Sequence, residues 1–199
     1  MKKVIIIVVS LFLASVAVLN PISIAAEPAF KLRLQAHLIA PQMKRTLGTL
    51  PEWVKNATNG TVDISLFPVG SIVPFTEILE AVGKGVVDMA LFPEGSWYKT
   101  IPVTVVGQGI PFCFSNWDEA RNYMFKKGYV KFLRSAYEKH NVYVIPHEPF
   151  AVGLMTKKPI KKVEDLKGVK LRAYGIFGEF LGKLGAATTL IPGGELYTA

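Results

Sequence analysis

The order of apolar patterns between residues 31 and 92 most constrains what this chain can fold into. Residues 31–37 (KLRLQAH) alternate apolar and polar side chains, as a half-buried strand does. Met43, Leu47, Leu50 and Val54 then recur at helical spacing, and Pro51 inside that pattern predicts a kink or a break. Asn59-Gly60 is a strong turn signal, and residues 61–67 (TVDISLF) read as a second strand. Phe75, Ile78, Leu79 and Val82 mark the apolar face of a helix ending at Gly83 or Gly85, and residues 86–92 form a short buried strand. Strand, helix, strand, helix, strand is the pattern of an α/β fold, a mostly parallel sheet flanked by helices. Ligands of such sheets gather outside the carboxyl ends of the strands. Pro93-Glu94-Gly95-Ser96-Trp97-Tyr98, which leaves the third strand, is therefore expected at a crevice edge.

Residues 99–114 are rich in Val, Ile and Gly and read as irregular crossing structure. Cys113, the single cysteine, stands between Phe112 and Phe114 and is expected to be a buried small hydrophobe. Ser115 with Asp118, or Asn116 with Glu119, offers a capping box for a long helical region reaching about His140, which Gly128 splits. Residues 141–145 and 150–156 read as strands, with an interdomain crossing at the break Pro146-His147-Glu148-Pro149. Residues 163–167 form a turn or short helix. Residues 169–173 then make a buried strand that delivers Arg172 to its carboxyl end. A guanidinium there is suited to gripping a carboxylate through two parallel charge-assisted hydrogen bonds. The helix opening at Gly175-Ile176-Phe177 adds N-terminal N–H groups and positive dipole at the same spot. On local pattern alone, the simpler reading of Arg172 is a surface arginine at a strand end. Residues 188–191 read as a last strand, and Gly193-Gly194-Glu195 opens a helix with no room to continue.

The first 26 residues stand apart. Lys2 and Lys3 precede a nearly all-apolar run, residues 4–19, and Ser23-Ile24-Ala25-Ala26 offers small residues for cleavage after Ala25 or Ala26. The run falls short of the ~20 residues of a spanning helix, so it reads as a secretory signal peptide with an uncleaved anchor as the alternative. The formal charge is +8, and the excess is concentrated in Lys126-Lys127, Lys157-Lys158 and Lys161-Lys162. No aromatic residues interleave these lysines, which argues against a nucleic-acid partner and for a solvated surface.

Several stretches, in order, resemble the periplasmic solute-binding subunit of TRAP (tripartite, ATP-independent periplasmic) transporters, the DctP-like family. They are Thr58-Asn59-Gly60-Thr61-Val62, Phe67-Pro68-Val69-Gly70-Ser71, Glu77-Ile78-Leu79-Glu80-Ala81-Val82, Gly85-Val86-Val87-Asp88-Met89 and Ile110-Pro111-Phe112. Further on come the stretch from Asp165 to Arg172 and Pro192-Gly193-Gly194-Glu195-Leu196-Tyr197. The resemblance implies a two-lobed, periplasmic binding protein-like fold that closes on a small organic acid and delivers it to a sodium-coupled membrane permease. It divides the chain into a signal peptide (1–26), a first lobe (27–148) and the start of a second lobe (149–199). It also implies that the second lobe is incomplete, since family members run on well beyond this point. Arg172 falls on the family's carboxylate-binding arginine. Gln35 and the loop with Glu94, Trp97 and Tyr98 fall in first-lobe regions that line the cleft, Phe150 falls on the crossing strand behind it, and Phe177 follows Arg172. The crossing strand of the family often carries a second polar or arginine contact, where this chain has Ala151, Val152 and Gly153.

An enzyme is the competing class. The chain has no G-x-S-x-G elbow, no metal-spaced His or Cys cluster and no P-loop, so no cofactor or metal is expected. Its histidines, His37, His140 and His147, are scattered, and Glu77 and Glu80 lie one turn apart on a solvated helix face. Convergent catalytic groups are not visible. A third reading is a ligand-sensing ectodomain held by an uncleaved N-terminal anchor.

Overall fold

The computed structural model describes residues 27–108, 112–146, 152–191 and 195–196. Strand β1 (Phe30–Ala36) lies at the centre of a three-stranded parallel sheet in the order β2-β1-β3, with β2 at Val62–Phe67 and β3 at Met89–Leu91. Phe30 pairs with Val62 and Gln35 with Phe67 on one side, and Leu34 pairs with Met89 and Ala36 with Leu91 on the other. Parallel neighbours need a crossover. Helices α1 (Ala40–Leu47) and α2 (Leu50–Ala57) supply it from β1 to β2, and α3 (Ile78–Gly83) supplies it from β2 to β3. The strand–helix alternation read from the sequence is therefore present. Pro51 does not kink one helix. The chain makes two, and Pro51 sits in the first turn of α2, where its missing N–H would have had no partner.

Apolar clusters cover this sheet. Leu34, Ala36, Met43 and Ile64 form one, with Leu47, Leu50 and Val54 against it, and Ile78, Ala81, Val87 and Phe92 form another. A third is built mainly on α5 (Trp117–Lys126) and α6 (Tyr129–Glu138), from Ile101, Met124, Tyr129, Leu133 and Tyr137. Asn116 caps α5 by accepting from the Glu119 N–H at 2.9 Å, and Glu119 Oε2 accepts from the Ser115 N–H at 2.9 Å. Gly128 separates the two helices with φ at 89°, a backbone conformation that needs the absent Cβ.

Farther along, β4 (Lys170–Arg172) and β5 (Ala187–Thr189) pair in parallel and are joined by α7 (Gly175–Lys183). This second strand–helix–strand unit has its own small core of Leu166, Leu171, Leu181 and Ala186. The 3-10 turn Val163–Leu166 leads into it.

Some expectations fail, each for a local reason. The strand expected over 86–92 shortens to Met89–Leu91, because the N–H groups of Val86 and Val87 turn back to the Ala81 carbonyl and finish α3. Asp88 then accepts from the Arg33 N–H at 2.8 Å and Arg33 Nε at 3.0 Å. Residues 99–114 are not wholly irregular, since α4 (Thr104–Gln108) forms there. Residues 141–145 join no ladder among the described residues. Val142 donates to the Tyr137 carbonyl, and the Val144 carbonyl accepts from Arg134 Nε at 3.1 Å, so the segment is held against α6. Residues 152–156 are not a strand, and Phe150 and Ala151 lie outside the described residues. Cys113 is exposed, not buried. Phe112 beside it has φ at 63° and is wholly exposed, so it shields nothing.

The signal-peptide segment, the expected crossing at 147–149 and the motif residues Ile110, Pro111, Pro192, Gly193, Gly194 and Tyr197 also fall outside the described residues. Among the described residues, no helix is long and apolar enough to cross a membrane.

Candidate functional site

The carboxyl ends of β1, β3 and β4 carry the residues singled out from the sequence, but they use them differently. Gln35, near the end of β1, is fully buried. Its Nε2 donates to the Val73 carbonyl at 2.8 Å, and its Oε1 accepts from the N–H groups of Ile72 and Val73, each at 3.0 Å. Both lone pairs of the amide oxygen are thereby occupied. Gln35 is a strut that ties the loop after β2 to the central strand, and it presents no surface to a solute in this state.

The chain leaves β3 through Phe92 and Pro93 into a 3-10 turn, Glu94–Trp97. Glu94 points inward and is buried, its Oε2 accepting from the Tyr129 hydroxyl at 2.9 Å. Burial, and then the Glu94 charge, push the Tyr129 hydroxyl far above the ordinary tyrosine range. Gly107 backs this pair so closely that a Cβ there would lie 2.0 Å from both Glu94 Oε2 and Tyr129 Oη. Trp97 is a wedge between clusters. Its ring lies 5.8 Å from Phe92 and 6.3 Å, edge-on, from Tyr137.

Tyr98 turns the other way. Its hydroxyl donates to the carboxylate of Glu179 on α7, and Lys99 Nζ stands 3.8 Å from the same carboxylate. Burial first, and then the bond to Glu179, push the Tyr98 hydroxyl up to about 12. Helix α7 accordingly packs against the 94–97 turn. The helix that follows Arg172 and the turn that leaves β3 are therefore in contact.

Arg172 ends β4 and is exposed. Its Nε donates to the Ile191 carbonyl at 2.9 Å, and its guanidinium lies 5.7 Å from the centre of the Tyr174 ring. Among the described residues, no carboxylate is within ion-pair distance of it. The bond through Nε orients the guanidinium, and among the described residues its two terminal nitrogens are left as an open fork. Tyr174, the N-cap of α7, makes no side-chain cap, and the first turn of that helix holds no acidic residue. Among the described residues the corner is positive and holds no neutralising carboxylate, and it contains the donors a carboxylate needs. Phe177, half-buried in the same first turn, supplies apolar surface next to them.

The structure thus places Arg172 at the end of β4, just ahead of α7, which carries Phe177 and touches the turn before Tyr98, while Gln35, Glu94 and Trp97 are engaged within the fold. Phe150 lies outside the described residues. Sequence reasoning missed Glu179 and Tyr129. Each pairs with a residue far away in the chain, and no local spacing announces such a partner.

Known proteins agree with this architecture. Residues 37–199 match the family model described as bacterial extracellular solute-binding protein, family 7. A monocarboxylate 2-oxoacid-binding periplasmic protein of Nostoc sp. is 30% identical over 153 residues, covering 76% of this chain and 42% of that protein. A TRAP transporter solute-binding protein from Bordetella bronchiseptica, solved with copurified calcium and picolinate, superposes with a TM-score of 0.76 at 26% identity, covering 87% of this chain and 52% of that one. Another from Pseudoalteromonas atlantica, with bound sodium and pyruvate, gives 0.74 at 26% identity over 85% and 53%. The chain spans about half the length of these structures and less of the Nostoc protein. Those cations belong to those proteins. Among the described residues here, no three His, Cys, Asp or Glu side chains converge to hold a metal ion. The family binds solutes and is not enzymatic. With its parallel sheets flanked by helices and a match over residues 37–199, this chain belongs to the bacterial extracellular solute-binding proteins of family 7, the DctP family of TRAP transporters.

Proposed function

We propose that the protein bearing this chain captures a small monocarboxylate of the 2-oxo acid class in the periplasm and hands it to a sodium-coupled TRAP permease. The observation that carries this reading is Arg172. Its Nε is anchored to Ile191, its terminal fork is open, and an uncapped helix N-terminus stands beside it. A carboxylate binding there gains two parallel charge-assisted hydrogen bonds and the favourable end of a helix dipole. The sequence has Ala151, Val152 and Gly153 where the family often carries a second polar grip, which favours one carboxylate over two. The relatives that hold pyruvate or are described as 2-oxoacid-binding support the same ligand class.

In this reading Tyr98 and Phe177 line the crevice, Phe150 backs it, and Trp97 and Gln35 hold its walls in place. Residues 1–26 are the export signal, cleaved after Ala25 or Ala26. Residues 27–148 and 149–199 belong to two lobes that close on the solute.

The test is calorimetric titration of the natural full-length protein containing this sequence with pyruvate, a four-carbon dicarboxylate and a sugar acid. Pyruvate should bind most tightly. Arg172→Ala should weaken it by roughly 2–5 kcal/mol, because the ligand carboxylate is left buried and unpaired. Arg172→Lys should restore only part, since the planar fork is lost. Affinity within twofold of wild type in the alanine variant refutes the assignment.

A further inference from the structure

Tyr98 lines the crevice in the solute-contact reading, but that reading does not require its bond to Glu179 or the Lys99 beside them. Tyr98 and Lys99 follow the turn that leaves β3, and Glu179 lies on α7, one turn beyond the helix start that flanks Arg172. The Tyr98 hydroxyl donates to Glu179, Lys99 Nζ stands 3.8 Å from the same carboxylate, and Lys99 also lies over the Tyr98 ring at 5.6 Å. The contact therefore ties the three-stranded sheet to the β4–α7–β5 unit.

The two bonds differ in worth. The Lys99 side chain is 76% exposed, so its pair with Glu179 is screened by water and contributes little. Tyr98 is half-buried, and burial is the first cause of the rise in its hydroxyl pKa. The Tyr98–Glu179 bond lies at an exposed contact too, but as a direct hydrogen bond to a charged acceptor it is the stronger of the two.

Resting on the solute-binding reading, we infer that Glu179 is a positioning residue. It latches α7 to the turn after β3, and through α7 it sets where the Arg172 fork stands relative to the Tyr98 edge. It need not touch the solute. It biases the ensemble toward the arrangement in which both edges can reach one small acid. A solute first met by the Arg172 edge is held by both edges only in that arrangement, so the bound complex opens more readily as the latch is lost. Because the latch acts after encounter, its loss should fall on dissociation more than on association.

The test uses the natural full-length protein in a Cys113→Ser background, so that the exposed native thiol takes no label. Spin labels at Lys55→Cys on α2 and Lys161→Cys ahead of β4 report the distance between the two units without ligand, and stopped-flow with pyruvate reports both rate constants. Tyr98→Phe and Glu179→Ala should each broaden the label distance distribution. Each should speed pyruvate dissociation roughly three- to tenfold with association within twofold, and the double variant should add little to either single one. Lys99→Met should change dissociation less than twofold. A protein that binds no pyruvate yet shows the broadened distances keeps the latch and loses the solute assignment. Unchanged distances, or dissociation within 1.5-fold of wild type in both Tyr98→Phe and Glu179→Ala, overturns the latch.

Discussion

Raising the pH should destabilise this protein through its buried tyrosines, and Tyr137 isolates the effect. Tyr137 is buried on α6, in the cluster with Met124 and Leu133. Burial, and then the Glu94 charge, hold its hydroxyl above the ordinary value of 10.0. The folded pKa exceeds the unfolded one, so the stabilisation from keeping Tyr137 neutral is complete below about pH 10 and drains away as pH rises toward the folded value. At about pH 11 an unfolded tyrosine is some 90% ionised while the folded one is not, which removes ~1.4 kcal/mol per tyrosine. Among the described residues the Tyr137 hydroxyl has no hydrogen-bond partner, so Tyr137→Phe deletes the titration at almost constant packing. The variant should lie within ~0.5 kcal/mol of wild type near neutral pH. It should then gain ~1.4 kcal/mol on wild type between about pH 9 and about pH 11, read from urea unfolding at each pH. Tyr129→Phe should show the same alkaline gain from a lower start, because it also loses the bond to Glu94. A Tyr137→Phe stability that tracks wild type across that range would refute the reasoning.

Gln35→Ala should cost roughly 2–4 kcal/mol in urea unfolding, since it orphans two backbone N–H groups and one carbonyl in a buried place. Hydrogen exchange at Ile72 and Val73 should accelerate before the rest of the sheet. Gly107→Ala should separate Glu94 from Tyr129 and lower stability by about 1–3 kcal/mol. Tyr129→Phe in the same chain should absorb part of that loss, which a thermal double-mutant cycle measures.

How much of this was legible in the sequence depended on how local the cause was. The alternation at 31–37 and the Asn59-Gly60 turn are short-range signals, and β1, β2 and the turn between them stand where expected. The Arg172 strand and the helix after it were legible for the same reason. Residues 141–145 alternate just as convincingly, and Val142 and Val144 do face the core while Tyr143 and Ile145 face out. Alternation reports which side is buried, however, and not which backbone partner a residue finds. There the partner is α6. Cys113 failed because flanking aromatics predict burial only if they are themselves buried, and Phe112 is not. In the candidate site, local pattern alone left Arg172 a surface arginine at a strand end, and only the resemblance of the 165–172 stretch to a known family singled it out. The inward turn of Glu94 and the outward turn of Tyr98 depend on Tyr129 and Glu179, whose positions only the folded chain determines.

The strand order β2-β1-β3 also dictates a timetable. The first strand made is the one in the middle, so both of its edges stay open until residues 62–67 and then residues 89–91 are available. No part of this sheet can close as a local hairpin, and each pairing waits on a helical crossover of its own. A nascent chain with β1 exposed and β3 not yet made carries an unpaired apolar strand with two sticky edges. The sheet should therefore form slowly and almost all at once. Folding would be gated by arrival of the short segment Met89–Leu91, and the chain would stay loose and threadable until that moment.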